Sequence, residues 1–353
     1  MSHTAYARAA VLSHYLEVAE KLKLNPVPLL RNVGLSKSLL TNPDQKIPIT
    51  AAVDLLEESA RVSGCSGFGL LIADARSISD MGPISLLLSH QRTLRDALYT
   101  IGQYRHLLNE SLGMYVEDAG KTTLIHEEVV TESTHPARQA IELAVGVMCN
   151  ICRTLTSPQW KPLSVNFIHA APDDLTLHRR IFRANIQFKS DFNGLTCATA
   201  DLDRPNPLAD PVMAKYAQSF MDSLPKNGQS DLRQEIRKSI YLLLPIGRAN
   251  IEHIANSLGL NVRTIQRKLE EHNESFSNLV DQVRKELANR YLLNTQYPLG
   301  RVAQQLGYSN PSSFTRWFLS QHGVTPSAFR DRDSNKSGGA KSVKDYSHPQ
   351  PTN

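Results

Sequence analysis

The feature that most constrains the fold of this chain is an internal repeat in its last third. A series of small and apolar residues recurs 48 positions later, and after the glycine of each copy the spacing becomes 49, because one extra residue enters the second turn near Ser309. The first copy contains Ile251, Ile254, Ala255, Leu258, Gly259, Asn261, Ile265, Arg267 and Leu269. The second copy contains Leu299, Val302, Ala303, Leu306, Gly307, Asn310, Phe314, Arg316 and Phe318.

Each copy has the pattern of a helix-turn-helix unit. The apolar residues of its first half recur at i, i+3 and i+7, which gives a helix one buried stripe. The glycine permits the positive φ that ends this helix, and the asparagine caps the next one. In the second copy Pro311 occupies a first helical position, where its missing N–H costs nothing. The polar face of the second helix then carries Arg263, Gln266, Arg267 and Lys268 in one copy and Ser312, Ser313 and Arg316 in the other.

The segment between the copies predicts one long helix over residues 277–293, because its apolar residues keep helical spacing. Such a helix would fix the two units against each other. Two recognition helices on one face can enter successive major grooves, about 34 Å apart. A single chain could then read two half-sites.

The charge distribution also separates this segment from the rest of the chain. Residues 229–332 carry 14 Lys and Arg against 9 Asp and Glu, whereas residues 1–228 carry 22 against 23. Nearly all of the net charge of +5 therefore lies in one segment. This distribution is typical of a polyanion-binding domain attached to a neutral one.

The first 210 residues predict a mixed α/β domain without the regular βαβ alternation of a doubly wound sheet. Helices are expected over 5–22, 49–62, 93–108 and 136–155, the last being one candidate for a dimer surface. Short strands are expected over 114–116, 122–125, 163–168, 186–188 and 195–199, the first two forming a hairpin around 118–121.

The predicted fold class is therefore α+β: a mixed α/β N-terminal domain followed by an all-α DNA-binding domain with two helix-turn-helix units joined by a long helix. The expected domains are an N-terminal domain over 1–221, for which the family resemblance given below implies effector binding and dimerisation, a linker over 222–230, the DNA-binding domain over 231–332 and a disordered tail over 333–353. The linker and tail are polar and contain Gly or Pro, which cannot support a core.

Several function classes are disfavoured. A secretory signal and an apolar run of about 18 residues are both missing, so we expect a cytoplasmic, soluble protein. Cys149 and Cys152 have CxxC spacing but lie in an apolar helical stretch, which favours core cysteines over a zinc or redox site. The phosphate-binding patterns GxxxxGK[ST] and GxGxxG and the GxSxG elbow do not occur. We therefore expect no catalytic residue, metal or cofactor.

The repeat resembles the AraC/XylS family of transcription regulators. The resemblance rests on residues 307–318, GYSNPSSFTRWF, followed by 323–326, GVTP, and by Phe329 and Arg330. It implies a double-stranded DNA operator and RNA polymerase as partners. The resemblance also implies direct base contacts for Arg263, Gln266 and Arg267 in the first unit. For the second unit it implies fewer base contacts and more phosphate contacts, from Ser312, Ser313 and Arg316.

The N-terminal part resembles the arabinose-binding type of effector domain that occurs in ornithine-utilisation regulators. The marks are Phe182, Phe188, residues 193–195 (NGL), residues 202–203 (LD), Pro205 and Pro207. The resemblance implies a small-molecule effector, with an amino acid or a related metabolite as one candidate class, and a homodimeric activator.

Three other hypotheses remain at this point. The N-terminal domain could serve only for oligomerisation, leaving a constitutive DNA-binding regulator. It could instead be an enzyme fused to a DNA-binding domain, although none of the four cysteines has the basic setting of a nucleophile. The helix-turn-helix units could also bind protein, although the basic charge of their segment favours DNA.

Overall fold

The structure, a computed structural model, describes residues 5–131, 137–224, 232–294 and 297–331. The chain divides into two compact units, Met1–Val280 and Asp281–Asn353. The first unit holds the N-terminal domain and the first helix-turn-helix, and the second unit holds the second helix-turn-helix.

All strands of the described residues lie in the first unit. They are β1 (Tyr6–Arg8), β2 (Lys46–Pro48), β3 (Leu112–Ala119), β4 (Thr122–Val129), β5 (Ser164–Phe167), β6 (Asn185–Phe188) and β7 (Gly194–Ala198). The helices up to the end of the N-terminal domain are α1 (Tyr15–Lys21), α2 (Pro26–Asn32), α3 (Lys37–Leu40), α4 (Ile49–Ser63), α5 (Phe68–Ala75), α6 (Ile84–Ser89), α7 (Leu94–Tyr104), α8 (Arg138–Leu155), α9 (Thr176–Phe182), α10 (Thr199–Leu202) and α11 (Pro211–Ser223).

The C-terminal segment contains helices and no strand among its described residues. Its helices are α12 (Leu232–Leu243), α13 (Ile251–Ser257), α14 (Val262–Glu270), α15 (Phe276–Asn294), α16 (Leu299–Gln305) and α17 (Pro311–His322). The long helix expected over 277–293 is confirmed as α15. The predicted α+β class, with a mixed N-terminal domain and a helical DNA-binding domain, is confirmed as well.

The main sheet has the strand order β3-β4-β7-β5-β6, with only the β5–β6 pair parallel. One row of apolar residues crosses all five strands, because Val116, Ile125, Leu195, Val165 and Ile186 are register partners in turn. The three central members of the row are fully buried. This buried row contributes to the core of the N-terminal domain, and helix α8 packs on β4 and β7.

Helices α5 and α8 approach each other closely at two glycines. A Cβ on Gly69 would lie 2.1 Å from the carbonyl oxygen of Gln139, and one on Gly146 would lie 2.7 Å from the Cβ of Ala73. Only residues without a side chain fit at such distances. Most of α8 is buried, so it is not the exposed dimer helix that the sequence suggested.

The helix expected over residues 5–22 is wrong in its first half. Residues Tyr6–Arg8 form β1, which pairs with β2 and places Ala7 opposite Ile47. A 3-10 turn follows at Ala9–Leu12, and α1 begins only at Tyr15, after His14 at a φ of +66°. Tertiary strand pairing therefore overrides the helical spacing of this segment.

The other expected elements of the N-terminal domain are confirmed with shifted ends. Helix α4 covers 49–62, α7 covers most of 93–108, and the strand pair β3–β4 is the expected hairpin, with Gly120 in its turn at a φ of +74°. Helix α8 begins at Arg138, and Pro136 lies outside the described residues.

The division into compact units differs from the expected domain division, which remains a prediction. Helix α11 extends to Ser223, two residues into the expected linker. Helix α12 packs against β3 and β4, so the start of the C-terminal segment joins the first unit. Most of the expected linker and all of the expected tail lie outside the described residues.

Candidate DNA interface and ligand cavity

The first helix-turn-helix consists of α13, a four-residue turn and α14. The side chain of Asn250 caps α13 by accepting a hydrogen bond from the amide of His253 at 2.8 Å. Gly259 then adopts a φ of +66°, and the amide of Leu260 bonds back to the carbonyl of Ala255 at 2.9 Å. These bonds satisfy the backbone groups at the helix ends and fix the direction in which α14 leaves the turn.

The start and the faces of α14 are set by its own residues. Asn261 Oδ1 accepts a hydrogen bond from the amide of Thr264 at 2.8 Å, which caps the helix. Ile265 and Leu269 are completely buried. The opposite face is exposed and carries the three residues expected to contact bases, Arg263, Gln266 and Arg267.

The arginines of this face differ in their electrostatic surroundings. The guanidinium of Arg267 lies 4.0 Å from Glu271, which also accepts a hydrogen bond from Lys268 at 2.8 Å. That hydrogen bond lowers the pKa of Glu271, so the carboxylate is ionised and partly compensates both cations. Arg263 forms no ion pair with any residue in the described ranges. Its charge is therefore the most available to an outside partner.

The second helix-turn-helix is built in the same way from α16 and α17. Gly307 ends α16 at a φ of +77°, and Asn310 Oδ1 accepts a hydrogen bond from the amide of Ser313 at 2.8 Å. Phe314 and Phe318 are completely buried. Of the residues expected to contact DNA here, Ser312 and Arg316 are exposed, and Ser313, whose amide is held by the cap, is half-buried.

The residues that carry the family resemblance of the second unit are mostly packing residues. Phe318 stacks on His322 with ring centroids 4.1 Å apart and meets Phe329 edge-on at 5.4 Å. Arg330 donates a hydrogen bond to the carbonyl of Tyr297 at 2.8 Å. The signature therefore records mainly how the unit folds.

The NGL motif of the N-terminal domain is structural. Asn193 is buried, accepts a hydrogen bond from the amide of Ile168 at 2.9 Å and donates one to Glu128 at 3.1 Å. A Cβ on Gly194 would lie 1.9 Å from the carbonyl oxygen of Ile125, so only glycine fits beside β4. The motif therefore links the ends of β4 and β5 at the start of β7.

An apolar cavity of about 110 Å³ lies in the N-terminal domain between α4, α8 and β4. Its walls include Val53, Leu56, Leu143, Val147 and Ile151. Four charged or titratable residues also line it, namely Arg8, Arg76, Asp80 and Glu127. The sequence analysis did not identify these residues, because they come from four separate elements and share no motif.

Glu127 is the most unusual of these groups. Its side chain is 2% exposed, and its carboxyl group has no hydrogen-bond partner among the described residues. Burial raises the pKa of Glu127 to about 8, so its neutral form predominates at neutral pH.

Helix α12 is joined to the N-terminal domain by polar contacts. Glu235 forms an ion pair with Arg105, which follows α7, and another with Lys238. The Nζ of Lys238 also donates a hydrogen bond to the carbonyl of Glu110 at 2.9 Å. Farther along the chain, Arg248 lies 2.9 Å from Glu117 on β3. The segment that leads into the first helix-turn-helix therefore rests on the sheet.

The two cysteines with CxxC spacing lie in the core, as predicted. Cys149 and Cys152 are fully buried on α8 and are not disulfide-bonded. Burial raises the pKa of Cys149 to about 11 and that of Cys152 well above its usual value. In the described residues no group of three or more His, Cys, Asp or Glu side chains is placed to hold a metal ion. A helix long and apolar enough to span a bilayer is likewise missing from these residues.

Both parts of the chain match known protein families. Residues 24–206 match the arabinose-binding domain of AraC transcription regulators, and residues 254–332 match a helix-turn-helix domain. The chain belongs to the AraC family. The AraC-family resemblance inferred from the sequence is confirmed.

Relatives of this AraC-family protein match along nearly their whole length. The transcriptional regulator VirS of Mycobacterium tuberculosis is 26% identical over 92% of this chain and 96% of its own. The ornithine utilization regulator of Pseudomonas aeruginosa is 23% identical over 93% of this chain and 95% of its own. Among solved structures, the transcriptional regulator CdpR of P. aeruginosa is 18% identical, covers 91% of this chain and 98% of its own, and gives a TM-score of 0.44. The AraC-family chain is a DNA-binding transcription regulator with an effector-binding type of N-terminal domain, and not an enzyme.

Proposed function

We propose that this protein activates transcription from specific operators when a small molecule binds its N-terminal domain. The proposal of DNA binding rests on the two faces of α14. One face is buried and contains Ile265 and Leu269, and the other is exposed and contains Arg263, Gln266 and Arg267. A helix anchored in this way can enter a major groove with its polar side chains toward the base edges.

The two units have different roles in this proposal. Arg263 and Arg267 suit guanine and Gln266 suits adenine, because these side chains can form paired hydrogen bonds with those bases. The second unit offers two short serine side chains and one arginine, and in this proposal Ser312, Ser313 and Arg316 serve mainly as phosphate contacts that position the protein.

The response to an effector is supported by the cavity and by helix α12. The cavity is lined by parts of β4 and α8, and α12 packs on β4 and is tied to the same domain through Glu235 and Lys238. A ligand that binds one arrangement of this sheet more tightly than another shifts the equilibrium between them. The shift would reach the first helix-turn-helix through α12.

A homodimer is supported by an exposed apolar face on α11. Val212, Met213, Tyr216 and Phe220 fall within one arc of this helix, and each is at least 45% exposed. Aromatic residues and methionine are enriched where proteins associate. The substitution of Tyr216 and Phe220 by lysine should therefore lower the molar mass measured by light scattering from that of a dimer to that of a monomer, and an unchanged mass would exclude this face.

The activator role is tested by transcription in a purified system. Operators found by genome-wide mapping of binding sites are placed before a weak promoter, and transcript yield is measured with RNA polymerase, with and without the protein. We expect more transcript when the protein and its effector are present. A yield that the protein lowers would identify a repressor, and a yield independent of every metabolite from the regulated pathway would favour a constitutive regulator.

A further inference from the structure

Charged side chains line one end of the N-terminal cavity. Three charged residues meet there, and two of them are already engaged. Arg8 donates hydrogen bonds to Asp44 and to the carbonyl of Met81. Asp80 accepts hydrogen bonds from the amide and hydroxyl of Ser77 at 2.8 and 3.2 Å.

The Oδ1 of Asp80 also lies 3.3 Å from the Nε2 of His14. Arg76 is different. It forms no hydrogen bond or ion pair with any residue that the structure describes, and its Nε is buried without a partner. Burial lowers the pKa of Arg76, and the negative charge of Asp80 opposes that shift. A buried guanidinium nitrogen without a hydrogen-bond partner is costly, and a planar anion removes that cost through two parallel hydrogen bonds.

The walls beyond Arg76 are apolar, and they limit the ligand's size. The volume of about 110 Å³ is somewhat below that of an engineered cavity of about 150 Å³ that holds benzene. The cavity therefore suits an apolar body of about four to six carbons. Larger ligands would have to displace side chains of α4 or α8.

We infer that the cavity binds a small carboxylic acid, with its carboxylate on Arg76 and its short aliphatic or aromatic body between α4 and α8. The inference rests on the proposed effector response and names the ligand class for it. Glu127, buried in the wall without a partner, provides a second polar contact for a hydroxyl or amino substituent of the ligand.

The first test is calorimetric titration of the full chain with straight-chain monocarboxylates from acetate to octanoate, with benzoate, and with their amides. Affinity should rise about fourfold with each added methylene until the cavity is full at four to six carbons. The amides should bind at least about 30-fold more weakly than the acids, because they lack the charge that Arg76 requires. Equal binding of acids and amides would overturn the assignment of Arg76.

The second test uses Arg76→Met, with Arg180→Met as the matched control. Arg180 is exposed, pairs with Asp74 at 2.9 Å and does not line the cavity. Arg76→Met should weaken acid binding at least about 30-fold, while the control leaves it unchanged. Thermal unfolding without ligand shows whether each variant folds, and Arg76→Lys, which keeps the charge but not the planar fork, should give an intermediate affinity. Acid binding that survives in a folded Arg76→Met would refute the site.

The role of Glu127 is tested with the leucine variant. Glu127→Leu should abolish the wild-type preference for hydroxylated or aminated acids over the plain acid. A preference that persists in this variant would remove Glu127 from the site while leaving Arg76 in place.

A transcription assay with the same variants separates this inference from the proposed function. Acids that bind through Arg76 but leave transcription unchanged would support the site and count against the effector response. An effector that activates the wild type and Arg76→Met equally would support the response and overturn the site.

Discussion

The buried carboxyl group of Glu127 gives the sharpest prediction for stability. Burial raises its pKa from the ordinary 4.5 to about 8, and desolvation is the only cause. A carboxyl group whose pKa is raised on folding leaves the folded protein most stable at a pH below the ordinary pKa of that group. This stability is lost as the pH rises toward the raised pKa. The substitution Glu127→Gln removes the titration and keeps the shape of the side chain.

The size of the effect follows from the two pKa values. Between about pH 5.5 and pH 7 each pH unit should remove about 1.4 kcal/mol from the free energy of unfolding of the wild type relative to Glu127→Gln, and the slope should fall as the pH approaches 8. The difference accumulated between pH 4.5 and pH 7 is at most about 3 kcal/mol, which is a large fraction of the stability of a typical domain.

The measurement needs a signal from the N-terminal domain alone. The chain has two tryptophans, Trp160 in the N-terminal domain and Trp317 in α17. In a Trp317→Phe background, the fluorescence of Trp160 reports urea unfolding of that domain at each pH. Glu20→Gln, on an exposed position of α1, is the matched control and should follow the wild type at every pH.

The slope with pH is the decisive quantity, because the cost of burying the glutamine amide does not change with pH. If the difference between wild type and Glu127→Gln stays constant from pH 5 to pH 8, the carboxyl group is solvated or paired in solution. Desolvation would then not set the pKa of Glu127.

Three further predictions concern the DNA-binding segment. Arg263→Ala and Gln266→Ala should each weaken operator binding by about 1–3 kcal/mol and relax specificity at one base pair, measured on operators with single substitutions; an equal loss on all sequences would reassign the residue to phosphate. Asn261→Ala should lower the free energy of unfolding by about 1 kcal/mol in chemical denaturation, because it removes the cap of α14, and an unchanged stability would contradict the cap. Arg105→Met, which breaks the ion pair with Glu235, should make operator affinity the same with and without effector; a retained difference would place the coupling elsewhere.

The helix-turn-helix units show how far local sequence can determine structure. Asn261 and Asn310 cap the helices that the spacing assigned to them, and Gly259 and Gly307 have the positive φ that the turns require. Each of these features depends on residues within one or two helical turns. The identity of the exposed residues on α14 therefore followed from the sequence, whereas their individual contacts with DNA remain predictions.

The N-terminal segment shows where local sequence fails. The spacing of residues 5–22 favours a helix, yet Ala7 pairs with Ile47 across forty residues of chain. Similarly, nothing near Asn193 indicates that its side chain bonds to Ile168 and Glu128. Periodicity describes one segment at a time, so it cannot register a partner contributed by another segment.

The sequence by itself determined the all-helical DNA-binding segment, its basic charge and the polar face of α14, because each depends on composition or on neighbours within one helix. Only the tertiary structure decided which groups share the cavity. Arg76 follows α5 and Glu127 lies on β4, and packing of separate elements brings both to one apolar space, where neither side chain has a hydrogen-bond partner among the described residues. A site of this kind arises from long-range packing, in which residues distant along the chain become neighbours.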